Sequence, residues 1–137
     1  MLFDVEKAVM DYITENMDKL VGSGNVTVGV YRRKFPDNAK AVGVTVFSEL
    51  PGNMNIRGLF PTAIRYTTRH INTKDAWTMM VNLDKMFDDV SHMDLTDTVE
   101  LCLSNRNAGP DRFEGENDGL HYFTSLFSSI FRYRGDD

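Results

Sequence analysis

The chain has 137 residues, 42% hydrophobic and 26% charged, which is typical of one folded domain and excludes the disordered and fibrous classes. Its formal net charge of -5 argues against a nucleic-acid-binding domain, because neutralising phosphates requires clustered Lys and Arg. Cys102 is the only cysteine, so an internal disulfide is excluded and a reducing, intracellular setting is expected.

A first helix is predicted near the start of the sequence, where apolar residues recur at steps of three and four. Its stripe consists of Leu2, Val5, Val9, Ile13, Met17 and Leu20. Gly22 and Gly24 follow as a stop signal. Acidic residues interrupt the apolar ones among the first ten positions, so we expect neither a signal peptide nor a membrane span.

Three strands are predicted next, from alternating apolar and polar residues. Residues 26–31 and 41–47 are interpreted as two strands of a hairpin or meander, with a turn around Pro36 between them. Residues 62–70 form the third strand, and we expect one of its faces to be buried and the other to be wet.

A second helix is predicted after Asn72, which is a favourable N-cap residue. The apolar stripe of this helix consists of Ala76, Met80, Leu83, Phe87 and Val90. Trp77 and Met79 lie beside the centre of the stripe. They either widen the contact with the core, which is the interpretation we favour, or present an exposed apolar edge to a neighbouring subunit.

The last third of the sequence predicts a strand, a loop and a long final strand. Val99, Leu101 and Leu103 alternate as in a strand. Residues 105–118 contain almost no apolar side chains and are predicted to form a long exposed loop that binds something. Residues 120–134 are partly apolar on both faces and would span about 45 Å. We therefore expect a bulge, or a portion that projects and pairs with another chain.

This order of elements predicts one α+β domain over residues 1–137. We expect a mainly antiparallel sheet of about four to five strands, with two helices packed on one face and a long C-terminal strand. The sequence contains no internal repeat and no low-complexity segment.

No motif in the sequence predicts catalysis, a metal site or a cofactor. His70, His92 and His121 fall in three separate predicted elements, and each is interpreted as a structural or surface histidine. A hydrolase that uses His121 with a nearby acid has nothing positive to support it. We therefore predict no catalytic residues, no metal ligands and no cofactor.

Two groups of acids have a structural interpretation. Asp84, Asp88 and Asp89 are expected to form a solvated helix face, because a metal site would need more oxygen ligands converging on it. The acids among residues 94–100 are expected to cap and solubilise the turn before Val99.

Two segments carry a resemblance to a known family. In residues 64–76, a strand ends in an arginine, a short polar turn follows, and an alanine comes early in the next helix; these features correspond to Arg69 and Ala76. In residues 111–134, a polar loop with acids and glycines leads into a long strand ending in arginine. Together with the order of elements over nearly the whole chain, these segments resemble the tail-terminator (tail-completion, minor-capsid) family of long-tailed bacteriophages.

The resemblance implies a structural virion protein. Six copies would close into a ring on the head-proximal end of the tail tube, stop its polymerisation and join the tail to the head connector. The implied partners are other copies of the chain, the tail tube protein and the head–tail connector protein. Genomic DNA would pass through the lumen without specific binding, because six copies carry a formal charge of 6 × -5 = -30. The implied location is the virion tail or neck, assembled in the host cytoplasm and away from membranes.

Candidate contacts with neighbouring subunits or with the tube lie in these segments and on the helix edge. They are Arg65, Arg69, Trp77, Arg112, Phe113, Glu114, Glu116, Asp118, Arg132 and Arg134. Two alternatives stay open at this point. One is a head-closure or connector subunit of the phage neck, and the other is a small α+β binding module or enzyme.

Overall fold

The computed structural model describes residues 5–21, 28–32, 41–47, 59–70, 72–113 and 121–133. The helices are α1 (Val5–Glu15), α2 (Met17–Val21) and α3 (Thr73–Phe87). The strands are β1 (Gly29–Arg32), β2 (Ala41–Phe47), β3 (Leu59–His70), β4 (Val90–Asp94), β5 (Val99–Phe113) and β6 (His121–Tyr133).

The predicted first helix is two helices, α1 and α2, with a break at Asn16. The side-chain amide of Asn16 donates to the Tyr12 carbonyl oxygen at 2.8 Å, an acceptor that the backbone N–H of Asn16 also uses at 3.1 Å. Asparagine side chains compete in this way with the helical backbone. The predicted stripe still faces inward, because Val9, Ile13 and Leu20 are all fully buried.

The six described strands form one sheet in the order β1-β2-β3-β6-β5-β4. Every neighbouring pair is antiparallel except β1 and β2, which are parallel. The expected α+β class, with a mainly antiparallel sheet and a long last strand, is confirmed, although the sheet has six strands. The predicted hairpin of the first two strands is wrong, because alternation determines which face a strand buries and not the direction of its partner.

The core lies between one face of the sheet and the helices. On this face, Tyr66 stacks on Phe87 of α3 with ring centroids 4.8 Å apart, and Tyr66 and Phe127 meet edge to face with centroids 5.2 Å apart. Tyr12 of α1 also contacts Phe87, with tilted rings whose centroids are 6.0 Å apart. Aromatic pairs in these geometries stabilise a core beyond the area that they bury. They also connect α1, α3 and the central strands into one cluster.

The second predicted helix corresponds to α3, and its predicted start is confirmed. The Asn72 side chain accepts hydrogen bonds from the backbone N–H groups of Lys74 and Asp75 at 2.9 and 3.4 Å. Met79 is buried as favoured, whereas Trp77 is 43% exposed. The helix ends at Phe87, so Val90 belongs to β4 and not to the helical stripe.

The predicted loop over residues 105–118 is wrong as far as residue 113, because β5 continues through Phe113 and pairs with β6. Beyond Ser104, β5 has no neighbour on its outer side among the described strands, since β4 pairs only with residues 100–104. A strand at the edge of a sheet needs few apolar side chains, so its polar composition resembles that of a loop. Residues 114–118 lie outside the described residues.

The expected projection of the final strand is not found in its described part. β6 lies in the middle of the sheet and pairs with β3 from His70↔His121 to Leu59↔Arg132. It also pairs with β5 along its length. The bulge is present, but on the partner strand, because the three register shifts insert extra residues into β5. The central position pairs both edges of β6, and its inward face joins the core. It does not explain the half-buried Leu126 and Ile130 on the opposite face.

Candidate interaction surfaces

The sheet face opposite the described helices, called the open face below, carries the first candidate surface. It bears alternate residues of β3 and β6, because cross-strand partners share a face and the intervening residues point into the core. Arg65 and Arg132 are exposed on it, and Leu126 and Ile130 are half-buried. Cationic and partly buried apolar side chains therefore lie together on this face.

At one end of the open face, Arg69 is held inside the chain. Its guanidinium donates to the Tyr122 hydroxyl at 3.1 Å and lies 5.7 Å from the centre of the same ring. The two residues are cross-strand partners, and their side chains are buried. Arg69 was predicted as an interface contact. In the single chain it links β3 to β6 through Tyr122, and only 4% of it is exposed.

A bulge in β5 places an exposed leucine beside half-buried apolar residues on the open face. Leu101 pairs with Phe131 and Leu103 with the next residue back, Ile130, so the two leucines point to opposite faces although they are two positions apart. Leu101 is buried and Leu103 is 43% exposed. Pro61 also pairs with Ile130. Leu103, Ile130 and Pro61 form what we call the apolar row.

A hydrogen bond and an ion pair, both made by Glu100, border the apolar row. Glu100 is buried and lies 2.8 Å from His92 Nδ1 and 3.9 Å from Arg132 Nη1. The expectation that Glu100 caps the turn before Val99 is wrong. The Thr96 hydroxyl does so instead, accepting from the backbone N–H of Val99 at 3.0 Å.

On the helical side of the sheet, a groove runs between α3 and the outer part of β5. We call it the Trp77 groove, and its cavity has a volume of about 390 Å³. Its apolar walls are formed by Trp77, Val81 and Pro110, and its polar side by Asp84, Lys85, Asp88 and Arg106. The Trp77 ring is fixed by an edge contact with Phe123, with centroids 5.2 Å apart. Because the indole is already held in place, a partner could bind its exposed apolar surface without first having to immobilise the side chain.

The acids of α3 are not a uniformly solvated face. Asp84 is buried and accepts from Arg106 Nη1 at 2.7 Å, while Asp88 accepts from the backbone N–H of Arg106 at 2.8 Å. The hydrogen bond and the charge of Asp84 raise the pKa of Arg106 above its usual value. The other Asp84 oxygen, Oδ1, has no hydrogen-bond partner among the described residues. Only Asp89 matches the predicted exposure fully.

His70 and His121 lie side by side on the central strands, and several of the remaining acids line a second cleft. His70 Nδ1 accepts from the backbone N–H of Asn72 at 3.0 Å, and His121 is the cross-strand partner of His70. A second cleft, of about 530 Å³, is lined by acids that include Asp11 and Asp94. Within the described ranges, no group of three or more His, Cys, Asp or Glu side chains could hold a metal ion.

The predicted contact residues are therefore divided among several places. Arg65 and Arg132 lie on the open face, Trp77 lies in the groove, and Arg112 and Phe113 end β5. The four others that lie outside the described residues are Glu114, Glu116, Asp118 and Arg134. Sequence reasoning missed the exposure of Leu103 and the ion pair between Arg106 and Asp84, because each depends on the register of β5.

Comparison with known proteins adds no family assignment. No protein-family model matches the chain, and no curated protein sequence is significantly similar to it. Among the residues that the structure describes, no helix is long and apolar enough to cross a membrane.

Proposed function

We propose that the chain is a ring-forming structural subunit of the phage tail-terminator type. Six copies cap the head-proximal end of the tail tube, stop its polymerisation and join the tail to the head connector. The observation that carries this proposal is the open face, where Arg65 and Arg132 are exposed beside partly exposed apolar side chains. Apolar surface rimmed by polar groups is the usual mark of a protein–protein contact.

The local structure of the resembling segment also supports the proposal. β3 ends one residue after Arg69, and α3 begins after a short turn. Ala76 is fully buried in the first turns of α3, and its carbonyl oxygen accepts from the Thr68 hydroxyl at 2.8 Å. The small alanine side chain lets the helix approach the strand closely, so the strand–turn–helix pattern implied by the resemblance is formed here.

The proposal is tested by measuring the mass of the purified chain and imaging it with and without polymerised tail tube protein. We expect rings of about six times 15.6 kDa by light scattering, and electron micrographs with rings seated at one end of each tube. Tubes grown with the chain present should have a limited length. A chain that stays monomeric at high concentration and leaves tubes unaltered would contradict the proposal.

A charge-reversal variant makes the test specific to the open face. Arg65→Glu should weaken ring or tube binding at least about tenfold, because reversing a charge at a contact creates like-charge repulsion. Lys74→Glu is the matched control, since it makes the same charge change on exposed α3 surface, near the helix N-terminus where an acid is tolerated. Equal binding by the two variants would exclude the open face. Rings that bind purified connector but ignore tubes would indicate a head-closure subunit instead.

Deleting residues 105–118 is not a suitable test. The deletion removes residues 105–113, which are more than half of β5 and pair with the central strand β6. It would disrupt the fold and therefore could not report on the role of a surface.

A further inference from the structure

Two large apolar side chains are exposed among the described residues, and they lie on opposite sides of the sheet. They are Trp77, in the groove beside α3, and Leu103, in the apolar row on the open face, each 43% exposed. A two-fold interface brings the same patch of two copies together, whereas a head-to-tail interface joins two unlike patches of one chain. The Trp77 groove and the apolar row are two unlike patches of one chain, so together they suit a head-to-tail interface.

The bulge in β5 makes the exposure of Leu103 a property of the backbone. Without the register shift after Leu101, strict alternation would point both leucines into the core. With the bulge, Leu103 is not buried in the core and its apolar side chain faces solvent instead. Bulges that re-aim a side chain recur at functional positions.

The Trp77 groove has the size and the apolar walls to receive such a row. Its volume of about 390 Å³ lies in the range of about 300–1,000 Å³ that is usual for binding pockets. Apolar walls from Trp77 and Val81 lie beside Asp84, a buried carboxylate with one oxygen that lacks a donor within the described residues. Arg132 is 3.9 Å from Glu100, is 45% exposed and lies two residues from Ile130, so a hydrogen-bond donor borders the row while an acceptor unsatisfied within the described residues borders the groove. The groove is otherwise balanced in charge, because Lys85 and Arg106 line it together with Asp84 and Asp88.

We infer that the copies join head to tail, with the apolar row of one copy packed into the Trp77 groove of the next. The inference rests on the proposed ring, and it names the interface that closes it. Each copy uses both surfaces once, so the contact repeats around the ring without a two-fold axis.

Single substitutions on either surface should prevent assembly. Trp77→Ala removes a wall of the groove and Leu103→Glu places an acid opposite Asp84, so we expect self-association to weaken about 30-fold or more in each. Thr78→Ala and Thr98→Glu are matched controls at exposed positions of the same helix and near the same strand. Val81→Arg, which fills the groove, replaces Trp77→Ala if that variant fails to fold by circular dichroism. Rings of wild-type mass from the Leu103 variant and a folded groove variant would overturn the inference.

Mixing the two variants distinguishes a head-to-tail contact from a two-fold one. The Leu103→Glu copy keeps a working groove and the Trp77→Ala copy keeps a working row, so an equal mixture should form particles of two copies, one of each, and grow no further. For a readout independent of affinity, Leu103→Cys and Val81→Cys copies, both carrying Cys102→Ser, are mixed and oxidised. Disulfide-linked pairs with one copy of each kind support the inference, and pairs of identical copies or no pairs overturn it.

These outcomes separate the inference from the proposed function. If wild-type rings cap tail tubes and the variants assemble equally well, the inference fails while the function stands. If assembly depends on both surfaces but the rings ignore tubes and connector, the inference stands and the function fails.

Discussion

Tyr66 is enclosed between the rings of Phe87 and Phe127, and its burial raises the pKa of its phenol above the ordinary value. Because the pKa is higher in the folded state, the associated stability is complete below the unfolded value of about 10 and is lost as pH rises from there toward the folded value. We expect the free energy of unfolding to fall between pH 10 and 11.5 by about 1 kcal/mol per pH unit more than in Tyr66→Phe, which has no proton to lose. Urea unfolding followed by circular dichroism measures both slopes. Equal slopes for the two proteins would contradict the expectation.

Individual residues were predictable where their role is local. Val9 and Ile13 were predicted from helical spacing to be buried, and both are. Asp84 was expected to be solvated, yet it is buried against Arg106, which lies 22 positions away. Helical spacing could not reveal this ion pair, because it exists only when β5 runs beside the helix.

The start of α3 depends on one side chain, because Asn72 accepts two backbone N–H groups of the first helical turn. Asn72→Ala leaves those donors without this acceptor and should lower the free energy of unfolding by about 1 kcal/mol. Asn72→Asp retains an acceptor at the N-cap and should stay close to wild type. Chemical denaturation of the three proteins measures the difference, and an alanine variant as stable as the aspartate variant would show that the cap contributes nothing.

Helices and strands were predicted correctly where a few neighbouring residues determine them, and incorrectly where pairing with distant segments does. The boundary of α3 at Asn72 follows from capping chemistry within four residues, and it was predicted correctly. The length of β5 follows from pairing with β6, and its polar residues 105–113 were mistaken for a loop. The direction of β1 relative to β2 also depends on the assembled sheet and cannot be read from alternation.

Trp77 is the only tryptophan, so its fluorescence reports on the groove in the whole molecule. If a neighbouring copy fills the groove, the half-exposed indole loses its water contacts, and its emission should move to shorter wavelength as the protein is concentrated. Leu103→Glu should keep the emission of the dilute protein at every concentration. An emission maximum that stays constant while light scattering records assembly would place the contact elsewhere.

For the whole molecule, the α+β class followed from the order of the periodic segments, and the structure has it. The two apolar patches could not be predicted from the sequence. One depends on the bulge after Leu101, and the other on the groove formed between Trp77 and Pro110. Both arise from register and packing between segments that are distant in sequence.

The central position of β6 determines when the sheet can form during synthesis. Although β6 follows every other described strand in the sequence, it separates the β1-β2-β3 half of the sheet from the β5-β4 half. Until the ribosome has released residues 121–133, each half has an unpaired inner edge. Folding must therefore close contacts such as Leu59↔Arg132 across more than half of the chain, and contacts of such long range are formed slowly.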